Sequence, residues 1–140
     1  MLFKVLQRLF AKTWGLGNSG MGLLRVAVVD ADVQKCQGLC ALLEQASIHG
    51  APLYSLEDLH EHLKKEQVRV LILDLDTLAV DNNFFRNLKK HNRDLCILCL
   101  SSRTYHPGLQ EAMGSHIYAS LVKPLDSEEL LYWLKSILEV

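Results

Sequence analysis

Four apolar runs in this 140-residue chain end in residues able to do chemistry. LLRVAVVD ends in Asp30 and VRVLILD in Asp74. LCILCLSS ends in Ser101 and Ser102, and the short run 118–122 is stopped by Lys123 and Pro124. If the runs are neighbouring strands, an acid, an acid, a hydroxyl and a lysine converge on one small crevice. Sheets covered by helices bind ligands there, outside the carboxyl ends of their strands and near the point where strand order reverses.

The elements that must position these groups are legible in the periodicity. LLRVAVVD and VRVLILDLD are continuous, β-branched and apolar, the pattern of strands buried on both faces. LCILCLSS predicts a third such strand. Residues 50–55 and 118–122 predict weaker ones. Between them lie amphipathic stretches. Asp32 is placed to cap a helix carrying Cys36, Leu39, Cys40, Leu42 and Leu43. Residues 57–65, 84–90 and 108–113 predict further helices. Asp126 and Glu129 have capping-box spacing before a last helix with Leu130, Leu131, Leu134, Ile137 and Leu138. Strand and helix alternate five times, which predicts an α/β domain: a five-stranded parallel sheet, doubly wound, flavodoxin-like (βα)5.

Composition narrows the function. An apolar fraction of 49% supplies a core, and a net charge of −1 gives no global basic field for direct binding to nucleic acid. The four cysteines sit in apolar or periodic stretches and predict buried, reduced thiols of a cytoplasmic chain. Cys96 and Cys99 are three apart on a strand and so face opposite ways.

Residues 1–22 form a separate unit. Leu2, Phe3, Leu6, Leu9, Phe10 and Trp14 follow helical spacing, and Lys4, Arg8 and Lys12 gather on the opposite side. This predicts an added basic amphipathic helix that docks on a partner, on a second copy, on its own domain or, with three charges, weakly on a membrane. GLGNSGMG then links it to a domain spanning 23–140.

VVDAD, LILDLD, LCLSS and LVKPLDSEEL, in this order and at these strand ends, resemble the receiver domains of bacterial response regulators. The resemblance covers the chain from about Leu23 onward. It implies a phospho-acceptor in a two-component phosphorelay, a signalling domain and not an enzyme. Asp74 would take a phosphoryl group from a histidine kinase or phosphotransfer protein, as a carboxylate nucleophile. Transfer of that group is mostly positioning and neutralisation of charge. Lys123 would supply a fixed cation, Ser101 a hydroxyl, and Asp30, Asp74 and Asp76 oxygen ligands for Mg2+. The Lys123–Pro124 bond would be cis. Output would pass to a partner protein or a second copy through the face made by helix 4, strand 5 and helix 5. No DNA-binding module follows within these 140 residues.

The chain departs from the family pattern in three places. The pair of acids after strand 1 reads Asp30-Ala31, so a weakened Mg2+ site is expected. The loop after Asp74 lacks the usual proline and glycine. Ser120 stands where a switch aromatic is usual, with Tyr118 two residues earlier. An alternative is therefore a receiver-like interaction domain that signals without phosphorylation. A flavin or phosphate-binding enzyme on the same fold would need a Ser-, Thr- and Gly-rich loop after strand 1, where this chain has DADVQKCQG.

Overall fold

The structure, a computed structural model, describes residues 25–138. The helix and linker expected over residues 1–22 lie outside them. Five strands alternate with five helices: β1 (Val26–Val29), α1 (Val33–Gln45), β2 (Gly50–Leu53), α2 (Leu56–Lys65), β3 (Val70–Asp74), α3 (Asn82–His91), β4 (Cys96–Ser101), α4 (Gln110–Ser115), β5 (Ala119–Val122) and α5 (Ser127–Leu138). A 3-10 turn at Pro107–Leu109 leads into α4. The short helix read over 108–113 is thus a 3-10 turn followed by α4.

All strand pairings are parallel, in the order β2-β1-β3-β4-β5. Every residue of β1 and β3 is buried, as expected for central strands covered on both faces. Alternate residues serve opposite layers. Val26, Val28, Ile72, Leu98 and Leu121 pack with α1 and α5, through Cys36, Cys40, Leu43, Leu130, Leu134 and Ile137. Ala27, Val29, Leu71, Leu73 and Ile97 pack with α2, α3 and α4, through Leu59, Phe85, Leu88 and Ala112.

The cysteines follow the same alternation. Cys96 packs on the α1–α5 side and Cys99 on the other. All four thiols are free. Burial pushes Cys40 and Cys99 up to about 12, so they are inert apolar groups rather than thiolates.

Strand order reverses between β1 and β3, because β1 is joined onward to β2 on one side and pairs with β3 on the other. Val29 pairs with Leu73, Asp74 with Leu100, and Ser101 with Val122. That register brings Asp30, Asp74, Ser101 and Lys123 to one edge of the sheet, at the reversal point.

Candidate functional site

Each strand end hands its polar group over differently. Asp30 follows the last residue of β1 and is 7% exposed. Its Oδ1 accepts from the backbone N–H of Asp32 at 2.8 Å. Asp32 itself turns away: it caps α1, its side chain accepting from Lys35 N at 3.1 Å. The first turn of that helix therefore takes the acid that could have stood in for the one missing at Ala31.

Asp74, the last residue of β3, is 1% exposed. Both its oxygens are occupied. Oδ1 lies 2.5 Å from Lys123 Nζ. Oδ2 accepts from the backbone N–H of Thr77 at 2.9 Å and lies 2.8 Å from the Thr77 hydroxyl. The chain after β3 turns back on itself to make this possible, the local Asx-type bonding to which Asp is suited. The Thr77 hydroxyl also lies 3.0 Å from Asp30 Oδ1 and accepts from Ala31 N at 3.1 Å. It has one proton, so it donates to one carboxylate at a time and stands between two.

Asp76 leaves this pair. Its carboxylate turns toward β4 and β5, where Oδ2 meets Lys123 Nζ at 2.9 Å. Both its oxygens lie 3.1 Å from Ser102 N, and the Ser102 hydroxyl is 3.1 Å from Oδ1. The Lys123 hydrogen bond, with the Ser102 donors, holds the Asp76 carboxyl down at about 2. Burial acts to lower the Lys123 ammonium, but its bonds to Asp74 and Asp76 outweigh that and raise it above its usual range.

Lys123 is placed by the backbone as well as by charge. Its N–H donates to Ser101 O at 2.8 Å, and the Lys123–Pro124 bond is cis, as the sequence pattern implied. Ser101 is fully buried. Its hydroxyl accepts from Arg103 N at 3.0 Å, closing its own turn. Ser102, one residue on, is the serine that reaches a site carboxylate.

A fold in this strand order with acid, acid and lysine at its carboxyl edge narrows the choice of family, and a family model decides it. The model of the response regulator receiver domain matches residues 26–135. The chain belongs to that family.

Solved structures agree on the fold. The beryllofluoride-activated NtrC4 receiver domain dimer is 25% identical with a TM-score of 0.73, over 83% of this chain and 97% of that one. A two-component response regulator from Clostridium difficile is 21% identical with a TM-score of 0.72, over 81% and 94%. The chemotaxis response regulator CheY4 of Vibrio cholerae is 22% identical with a TM-score of 0.68, over 80% and 96%. No curated protein matches.

For a receiver domain, this site is notable for what fills it. Asp74, Lys123 and Asp76 are in contact, and Asp30 joins Asp74 through Thr77. The Ser101 hydroxyl is bonded within its own turn. Thr77 and Ser102 were not singled out by strand-end reasoning, although Ser102 stood in the pair named there. The usable signal for Thr77 was its position three residues after Asp74, a spacing at which an Asp side chain bonds a following N–H.

Of the three carboxylates expected to ligate Mg2+, Asp30 and Asp74 come together and Asp76 does not join them. Mg2+ demands near-octahedral oxygen donors. Here a neutral hydroxyl spans Asp30 and Asp74, Ala31 offers no side-chain ligand, and Asp76 faces an ammonium. Among the described residues no group of three or more His, Cys, Asp or Glu could hold a metal ion.

Proposed function

We propose that this receiver domain accepts a phosphoryl group on Asp74. The observation that carries the reading is the contact of the buried Asp74, through Oδ1, with Lys123 Nζ at 2.5 Å, at the strand-order reversal. In the transfer, an Asp74 oxygen attacks phosphorus, the P–N bond to a donor histidine breaks, and the imidazole leaves with that electron pair. Oδ2 is bonded by Thr77 and Oδ1 by Lys123 alone, so Oδ1 is the oxygen that meets the donor, beside the ammonium. The Lys123 ammonium then neutralises phosphoryl oxygens as it neutralises the carboxylate now.

The donor is a histidine kinase or a phosphotransfer protein. Output passes through the face of α4, β5 and α5. There β5 is the sheet edge and Tyr118, Val122 and Tyr132 are exposed, with both tyrosine rings edge-on to Trp133 at 5.7 and 5.5 Å. Exposed aromatic residues of this kind suit a protein interface. A cytoplasmic location fits such a relay, and no helix among the described residues is long and apolar enough to cross a membrane. The basic segment ahead of the domain, residues 1–22, is assigned to partner docking or self-association.

Intact mass after incubation with a small phosphodonor, with and without Mg2+, tests the acceptor. One phosphoryl adduct is expected on the parent and none on Asp74→Asn. The arms with and without Mg2+ test whether Asp30 and Asp74 suffice to hold the ion. A second reading, a receiver that signals by binding alone, is favoured by one observation: Asp74 is 1% exposed and both its oxygens already have partners. Absence of any adduct at high donor concentration would establish that reading instead.

A further inference from the structure

The two edges of the sheet are finished differently. β2, at one edge, carries Pro52, which has no N–H to offer a further strand. β5, at the other, reads ASLV, with neither proline nor charge. Edges without such protection are ordinarily covered. Apolar surface collects at this edge too. Five large apolar residues are exposed among the described ones, and three of them, Tyr118, Val122 and Tyr132, lie here. Trp133 joins the tyrosines into a row of three rings, each tyrosine meeting it edge-on. Contiguous apolar surface of this kind marks an interaction site.

The chain itself carries a segment suited to the row. Leu2, Phe3, Leu6, Leu9, Phe10 and Trp14 recur at helical spacing, outside the described residues. Ten residues, 15–24, separate Trp14 from Arg25. The strand register fixes how far they must reach. Ala119 is level with Leu98, Ile72 and Val28, so Tyr118 stands level with Ala27, two residues beyond Arg25. β5 is three strand spacings from β1. The gap is then about 14 Å across the strands and 7 Å along them, or about 16 Å in all. Ten glycine-rich residues have a root-mean-square span of about 16–19 Å. A tether whose span matches the gap gives the highest effective concentration, on the order of millimolar. A second copy offers the same row only at its bulk concentration, which decides for the segment's own domain.

We propose that residues 2–14 seat their apolar side on the row Tyr118, Trp133 and Tyr132 of their own chain, and so cover the β5 edge. Lys4, Arg8 and Lys12, on the opposite side of the segment, then face water. This rests on the reading of the α4, β5 and α5 face as the output surface for its consequence, but not for the docking itself. The consequence is competition. A partner or a second copy reaches the face, or the segment, only after the two have parted, and its apparent affinity falls by the fraction of time the face stands open.

The test compares the full chain with the same chain carrying Leu6→Glu and Phe10→Glu. Nitrogen–proton correlation spectra read the Trp133 indole N–H and the Tyr118 and Val122 amides. These signals should move between the two proteins, by the same amount across about a tenfold range of protein concentration, as an intramolecular contact requires. A peptide of residues 1–14 should bind the double variant at least about tenfold tighter than the parent, whose face is occupied. Adding Tyr132→Ala to the double variant should weaken that binding about fivefold. Identical spectra, or equal affinity of the peptide for parent and double variant, overturns the docking. Shifts that fade on dilution make a second copy the occupant and overturn the intramolecular seat. No phosphodonor enters, so failure here leaves Asp74 as the acceptor, and failure of Asp74 to take a phosphoryl group leaves the segment on its row.

Discussion

The two halves of the crevice solve the same electrostatic problem by different means. On the β1 side, the carboxylates of Asp30 and Asp74 approach one another across a neutral hydroxyl, that of Thr77. On the β5 side, Asp74 and Asp76 share a full positive charge, the ammonium of Lys123. Like charges in a poorly solvated site repel, and each must find a donor or a counter-charge. A hydroxyl with one proton serves one carboxylate at a time, whereas an ammonium has three donors and serves both at once. The β5 side is thus the electrostatic anchor, and the β1 side is the one held by geometry.

The largest effect is expected from removing the anchor. Lys123→Met leaves Asp74 buried beside Asp76 with no cation, and loss of one partner from a buried pair costs several kcal/mol. Lys123 is itself 24% exposed, which moderates this to about 2–4 kcal/mol. Urea unfolding measures it. A loss close to zero would mean that water, not Lys123, balances the two carboxylates.

Next comes the hydroxyl bridge. Thr77→Val keeps the shape but removes an acceptor for Ala31 N and the donor to Asp74 or Asp30. The expected loss is about 1–2 kcal/mol, while Thr77→Ser restores most of it. If valine costs more than Lys123→Met, the ranking of the two halves is reversed.

A smaller effect sharpens the comparison by pH. The Asp76 carboxyl is lowered from 3.8 to about 2 in the folded domain, first by its Lys123 hydrogen bond. A depressed carboxyl binds fewer protons in the folded than in the unfolded state. Stability from this group is therefore present above about pH 4 and is lost as pH falls toward about 2. The thermal midpoint of the parent should fall through that window, and that of Asp76→Asn should fall less. Parallel curves would show that other acids carry the acid sensitivity.

The smallest effect on stability is expected at the aromatic edge, away from both halves. Tyr132 is 63% exposed. Tyr132→Ala should cost about 0.5 kcal/mol or less by urea unfolding, as is usual for surface positions. A larger loss would mean that its ring contact with Trp133 belongs to the core.

Much of this molecule was determined by its sequence alone. Continuous apolar runs named the buried strands, and amphipathic stretches named the helices that cover them. The period of two on β4 placed Cys96 and Cys99 in opposite layers, as they are. The polar residues ending those runs marked the crevice, because a buried strand keeps its polar groups to its ends. The capping role of Asp32 was also legible, since an N-cap is a local bond over three residues.

Only the tertiary structure decided which of these groups face one another. Asp76 was read as a metal ligand from its place two residues past Asp74, yet its carboxylate meets a lysine 47 positions later in the chain and a serine from another strand end. Ser101 was read as the site hydroxyl, yet it bonds within its own turn and Ser102 reaches the carboxylate. Thr77 lies in a loop with no periodicity to advertise it, and its role exists only because the loop folds back over two strand ends. The physical reason is common to all three. Strand and helix signals are repeats along the chain, set by backbone geometry within a few residues. The direction of a polar side chain in a loop is set by which donors the sheet brings near, and those come from residues far away in sequence.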